Sequence, residues 1–379
     1  MLIERILTSK VQKAMQSGKV TILYGPRQVG KTTLLSQLSK ELDEPYLQIN
    51  GDQLKYREVL SSENSQRLKE LIGDNKIIII DEAQRVPNIG LNLKIVVDNF
   101  PEVKVLITGS ATLDLASKIS EPLTGRKKVF MLYPVSYQEI EKWQGSFEAR
   151  QQLERWLVFG TYPEALMIES RKQRENYLAE IVSSYLYKEV LDFGGIRKSD
   201  KIVDLLRLLA FQIGHEVAIS ELASNLALDR VTVEKYLDLL EKVFVIYKIG
   251  GFSRNLRKEI AKTDRYYFYD NGVRNALIEN FNDLKLRNDK GQLWENFLFT
   301  ERLKLNQNLD RRANYYFWRT YDQKEIDLIE EREGKIYGFE FKWQGEIRPT
   351  VKKEFTQAYT GAQVETINQT NFTKFTKRG

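Results

Sequence analysis

The residues best suited to chemistry lie near the start of the chain. Gly25, Gly30, Lys31 and Thr32 stand in G-x-x-x-x-G-K-[ST] spacing, after an apolar run at 20–24 and before a helical pattern. Strand, glycine-bounded loop and helix form the setting in which backbone N–H groups wrap a phosphate and a helix N-terminus adds partial positive charge. Gly25, Pro26, Arg27, Gln28, Val29, Gly30, Lys31, Thr32 and Thr33 are therefore the expected nucleotide contacts. Lys31 would reach the β- and γ-phosphates, and the Thr32 hydroxyl would be a ligand for Mg2+. Further on, four isoleucines at 77–80 run into Asp81 and Glu82. Asp81 would hold Mg2+ through water, and Glu82 would polarise the attacking water. A third apolar run, 103–108, ends in Thr108, Gly109 and Ser110, where a hydroxyl could touch the γ-phosphate or the attacking water, and Ser110 could equally cap a helix over 112–119. Arg126 is the candidate for offsetting charge in the transition state, with Arg27 a weaker one.

A second group lies near the far end. In an extended strand Glu340 and Lys342 point the same way, because side chains alternate faces. The stretch 324–342 reads as a hairpin closed by Gly334. Ile326 and Leu328 share one face of its first strand, Asp327 points to the other, and Asp327 falls near Glu340. Glu295, on the flank of a helical apolar stripe, is costly there unless a cation meets it. These acids either gather round a divalent cation or form a solvated charged strip, and their spacing leaves both open.

Elements must position these groups, and composition limits what they can be. A chain of 379 residues, 42% hydrophobic and 29% charged, fits a globular protein of two or three domains. It has no cysteine and one histidine, His215, which argues against thiolate or multi-histidine metal sites and against a Ser-His-Asp triad. The first residues carry scattered charges and no cleavage pattern, so no signal peptide is expected, and no apolar run is long enough to span a membrane. A cytoplasmic location is the expectation. The net charge is +6, and residues 342–379 hold seven Lys/Arg against three Asp/Glu. That excess suits a polyanion partner or a solvated tail.

From 19 to 135, strand and helix patterns alternate, which predicts a parallel sheet covered on both faces. With its motifs, this region resembles an AAA+-type P-loop ATPase: Lys31, Asp81–Glu82 and Ser110 match the Walker A, Walker B and sensor-1 positions. The stretches "DEAQRVPNIGLNLK", "TGSA", "LTGR" and "GTYPEAL" narrow the resemblance to a prokaryotic ATPase family with a C-terminal nuclease-like domain. Thr161 and Ala111 depart from the family's usual glycine and serine, and neither is a phosphate-binding group.

The expected organisation is a P-loop ATPase core of AAA+/ASCE type (1–135), a helical lid (136–199), a winged helix-turn-helix (200–275) and an α/β restriction-endonuclease-like domain (276–379). Three helices then a hairpin carry the winged-helix expectation, with Arg230, Thr232 and Lys235 as DNA contacts. Glu, Asp and Glu-x-Lys on helix, strand and strand resemble the PD-(D/E)XK pattern. The resemblance implies Mg2+ on Glu295, Asp327 and Glu340, with Lys342 orienting a water or offsetting charge. The expected function is a Mg2+-dependent ATPase that binds DNA, with cleavage of DNA a further expectation. Its partners would be ATP and DNA, and a homo-oligomer would decide whether Arg126 acts in cis or in trans. The alternative is a nucleotide switch that docks a protein partner.

Overall fold

The computed structural model describes residues 2–110, 123–186, 199–253, 263–320 and 322–377. The chain divides into two compact units, one essentially 1–133 and one 134–379. The helix expected over 112–119, and any cap that Ser110 would give it, lie outside the described residues.

The first unit is built on β1 (Val20–Tyr24), β2 (Tyr46–Asn50), β3 (Ile77–Asp81), β4 (Lys104–Gly109) and β5 (Lys127–Met131). They form a parallel sheet in the order β2-β3-β4-β1-β5. The isoleucine run explains itself here. Ile78 and Ile80 enter one apolar cluster with Val20, Ile22, Val105 and Ile107, while Ile77 and Ile79 enter the opposite one with Leu23 and Leu106. A strand buried on both faces needs apolar residues at every position. β4 separates the strand that leads into the phosphate loop from the strand that ends in the acidic pair. All the strands run the same way, so both features emerge at the carboxyl edge of the sheet.

The second unit contains a seven-stranded mixed sheet in the order β12-β11-β10-β9-β7-β8-β6. Its strands are β6 (Glu216–Val217), β7 (Ile246–Gly251), β8 (Asp264–Phe268), β9 (Asn314–Arg319), β10 (Glu325–Arg332), β11 (Lys335–Phe341) and β12 (Gln363–Ile367). The helices Ser199–Phe211, Ile219–Leu226 and Arg230–Lys242 precede the β7–β8 hairpin. β7 also pairs with β9 through Gly250 and Gly251, so a boundary at 275/276 falls inside one continuous sheet. The helix Lys290–Asn308, then β9, β10 and β11, the helix Pro349–Ala358 and β12 follow in an αβββαβ order. Between Ile326 and Ile329 the register of β10 against β9 slips, and these two residues, rather than Ile326 and Leu328, enter one core cluster. An extra residue in one strand breaks the alternation that the sequence reading assumed. Glu333 and Gly334, both with positive φ (50° and 73°), close the β10–β11 hairpin in the manner of a type I′ turn.

The segment expected as a lid belongs to this second unit. Its helix Tyr137–Gln144 is tied to Lys290–Asn308 by the Tyr137 amide, which donates to Glu301 Oε2 at 2.8 Å. Lys304 Nζ in turn donates to Glu301 Oε1 at 2.7 Å and to the Val135 carbonyl. A second tie runs through Asp270. Its buried carboxylate accepts from the amides of Thr161, Gly272 and Val273, and so caps the helix Asn271–Leu277. Gly160, at φ 69°, packs so tightly on that carboxylate that a Cβ would stand 2.5 Å from Oδ2 and closer still to Oδ1.

Candidate functional site

The phosphate loop is fixed by its ends. A Cβ on Gly25 would overlap the Leu132 carbonyl at the end of β5, so only glycine lets the strand ends close up. Gly30 turns the chain into the helix Lys31–Ser39 with φ 100°, a left-handed value suited to glycine. Val29 is wholly buried, and Arg5 Nη1 donates to its carbonyl at 2.8 Å. Lys31 Nζ donates to the carbonyls of Gly25 and Pro26 at 2.7 and 2.8 Å, which folds the ammonium over the loop. Arg27 and Gln28 lie half-buried on the same loop, while Thr32 and Thr33 open the helix on its exposed side.

The loop and the acidic pair meet. Thr32 Oγ1 donates to Asp81 Oδ2 at 2.8 Å. Asp81 Oδ1 accepts from Thr108 Oγ1 and from the Glu82 amide. Glu82 sits in a left-handed conformation, φ 54°, just where the strand ends. Gln84 Nε2 donates to Glu82 Oε2 at 2.6 Å and to Ser110 Oγ at 3.0 Å. A hydroxyl and a carboxylate oxygen in contact at the carboxyl edge are hard donors of the kind Mg2+ takes, so Thr32 and Asp81 fit that ion. Gln84 was not among the residues singled out from the sequence. Gln84 lies two positions past the acidic pair, and only the turn after β3 brings it back.

Arg126 lies apart from this cluster. It immediately precedes β5, and its carbonyl accepts from the Val20 amide at the start of β1. The loop lies beyond the other end of these strands, about 16 Å away at a rise of about 3.3 Å per residue. Arg126 pairs with Asp98 instead. It does not reach the phosphate loop of its own chain.

In the second unit the ladder sets Leu328 opposite Phe339, so the next step places Asp327 beside Glu340. The Phe341 amide donates to Asp327 Oδ2 at 2.8 Å. Lys342 Nζ pairs with Glu340 Oε1 at 2.6 Å. Glu295 Oε1 accepts from the Tyr267 hydroxyl at 2.6 Å. Burial and then Asp327 push Glu295 well above the usual carboxylate range, and burial raises Asp327 too. Burial, then Asp327, pushes Glu340 up to about 7. The sequence thus identified three acids that converge on one corner. It missed Arg265, whose Nη1 lies 3.7 Å from Glu295 Oε1 and 3.8 Å from Asp327 Oδ1, and whose Nη2 is 2.8 Å from Glu325 Oε2. Among the described residues no group of three or more His, Asp or Glu side chains is arranged to hold a metal ion. As placed, Glu295, Asp327 and Glu340 do not fit a divalent cation. Alternation along β8 puts Arg265 and Tyr267 on one face, a signal that "RYYFYD" carried but that had no meaning until β8 was placed beside the acids.

The expected DNA contacts lie on the helix Arg230–Lys242. Arg230 and Lys235 are exposed. The Thr232 hydroxyl donates to Asp229 Oδ2 at 2.6 Å and its amide to Oδ1 at 2.8 Å, so that side chain is occupied in an N-terminal cap.

A parallel α/β sheet with a G-x-x-x-x-G-K-T loop joined to an acidic pair at its carboxyl edge is the P-loop NTPase fold. Comparison with known proteins agrees. A family model described as an AAA domain matches residues 17–141, and two domains of unknown function (DUF8612 and DUF4143) match 150–284 and 290–375. An uncharacterized protein of Mycobacterium tuberculosis is 28% identical over 368 residues, 96% of this chain and 79% of that one. Another from Methanocaldococcus jannaschii is 23% identical, covering 82% and 74%. Among solved structures, a Walker-type ATPase of Pyrococcus abyssi matches with a TM-score of 0.51 at 18% identity, over 73% of this chain and 96% of that one. At that identity the likeness establishes the fold. The AAA match and the Walker-type fold support ATPase activity and imply nucleotide binding. Among the described residues no helix is long and apolar enough to cross a membrane.

Proposed function

We propose that the chain is a cytoplasmic, Mg2+-dependent ATPase whose nucleotide state governs DNA binding by its second unit. The observation that carries the first half is the 2.8 Å contact between Thr32 Oγ1 and Asp81 Oδ2, which joins the phosphate loop to the acidic pair. Thr32 and Asp81 would hold Mg2+, whose charge offsets that of the phosphate oxygens. Amides of the loop bind the phosphates, and Lys31 turns from the loop carbonyls to the β- and γ-oxygens. Glu82 takes the proton of the attacking water. Gln84 orients Glu82 and links it to Ser110, whose hydroxyl would sense the γ-phosphate. Arg126 would serve a nucleotide only in trans, in a homo-oligomer.

For the second half, the winged-helix order of helices and hairpin, the αβββαβ run and the basic chain end support a winged-helix and nuclease-like module that binds DNA. Arg230 and Lys235 are its proposed phosphate contacts. DNA cutting is not part of the proposal, since the Arg265 guanidinium already stands among the carboxylates that would serve it. A docking surface for a protein is the second reading. It is favoured by Glu234, Asp238 and Glu241 on the helix that bears Arg230, which mix its charge.

The test is ATP turnover with and without duplex DNA on one preparation. Lys31→Ala is expected to abolish turnover, and DNA to stimulate it in wild type. Retained turnover in Lys31→Ala refutes the first half. DNA affinity should fall steeply between 50 and 200 mM salt, about 0.9 log unit per log unit of salt for each phosphate neutralised. Absence of DNA binding at low salt favours the protein-docking reading.

A further inference from the structure

The acids near β11 are met by a cation that no motif contains. Arg265 comes from β8, outside the αβββαβ run, and its side chain is 4% exposed. Its guanidinium faces Glu295, Asp327 and Glu325 and lies 4.5 Å over the Phe317 ring. We propose that Arg265 is the resident cation of this carboxylate cluster, standing in place of a divalent metal, so that the module takes up no metal while Arg265 is present. The inference rests on the nuclease-like reading of this core and specifies what that core has become.

Three physical arguments support it. First, a guanidinium is charged at any physiological pH and offers five N–H donors in a plane, so one side chain can serve several carboxylates at once. Second, the oxygens a metal would need are engaged. Asp327 Oδ2 accepts from the Phe341 amide and Oδ1 faces Arg265. Glu295 Oε1 is shared between the Tyr267 hydroxyl and Arg265, and a Cβ on Gly214 would stand 3.0 Å from Oε2. Glu340 Oε1 belongs to Lys342. Glu340 Oε2 is buried with no hydrogen-bond partner, and one such oxygen is too few for a Mg2+ or Mn2+ site. Third, Arg265 is not a loose tip. Its strand is paired on both sides, Arg265 opposite Ile249 of β7 and Glu216 of β6, and its guanidinium lies over the Phe317 ring.

The test uses the full chain without nucleotide and reads Mn2+ uptake by electron paramagnetic resonance. Wild type and Asp327→Asn should take up the same amount, because the cluster contributes no site. Arg265→Gln should gain one Mn2+ site that wild type lacks. The double variant Arg265→Gln/Asp327→Asn should lose it. An Asp327-dependent Mn2+ site in wild type overturns the proposal, and so does a folded Arg265→Gln that gains none. If Arg265→Gln does not fold, the wild-type and Asp327→Asn pair still decides. Arg265→Lys, which keeps the charge, should stay without the site. DNA binding, followed on the same samples, reports separately on the nuclease-like reading. Absence of DNA binding in wild type at low salt sinks that reading without touching the metal comparison.

Discussion

Replacing Gly160 by alanine tests how the second unit is tied together. The residue sits at φ 69° against the buried Asp270 carboxylate, and an added Cβ would overlap it. At φ 69° and ψ −164° the backbone lies in a region essentially reserved for glycine, where an L-residue costs about 1–3 kcal/mol. The carboxylate cannot yield without stretching its bonds from the amides of Thr161 (2.7 Å), Gly272 (2.8 Å) and Val273 (3.2 Å). Losing one of these charge-assisted bonds costs about 1.5–3 kcal/mol. The sum is about 2.5–6 kcal/mol, a large part of a typical stability of about 5–15 kcal/mol. For a unit of this size it corresponds to a melting point lower by about 5–24 °C. Gly334→Ala is the control. Gly334 also has a positive φ, 73°, but a Cβ there meets nothing within 4 Å, so only the backbone part applies. Differential scanning calorimetry on wild type and both variants gives the comparison. If Gly160→Ala melts no lower than Gly334→Ala, the close packing against Asp270 carries no stability, and the reasoning fails.

Other outcomes follow from the same geometry. Glu82→Gln should keep nucleotide binding within a few-fold while turnover falls about 10²–10⁴-fold, as read by a nucleotide-binding titration beside a phosphate-release assay. Gln84→Ala frees the Glu82 carboxylate from its 2.6 Å donor and should change kcat more than KM, with Gln84→Asn restoring little because its amide is one carbon short. Asp270 is pushed up to about 6, chiefly by burial, against about 3.9 in an unfolded chain. As pH rises between those values the unfolded state loses its proton first. Stability therefore falls through that window and levels off above it, by about 3 kcal/mol. Asp270→Asn should lack that slope, and denaturant melts from pH 4 to 7 on both proteins would detect its absence.

The phosphate loop and the acidic pair were legible because each is local. A glycine spacing, a lysine and a β-strand of isoleucines are contiguous in the chain, and alternation in a doubly covered strand leaves no choice of partner type. The position of Arg126 was not legible. Sequence order put it after the site, but parallel strands all start at the edge away from the ligand, so a residue just before β5 lies at the wrong end. Nor was the β10 bulge visible, since Ile326, Leu328 and Ile329 are equally apolar. The hairpin after the helix Arg230–Lys242 read as a separate wing, and only its pairing through β7 to β9 shows a shared sheet.

By itself the sequence determined the chemistry of the phosphate loop, the Asp81–Glu82 pair and the presence of three acids near the chain end. Only the tertiary structure decided which cations those acids meet. Contacts between residues far apart in sequence, such as Arg265 with Glu295 and Asp327, depend on strand order and register. Neither is written in any local pattern, because both are selected by the burial of whole faces rather than by neighbouring residues.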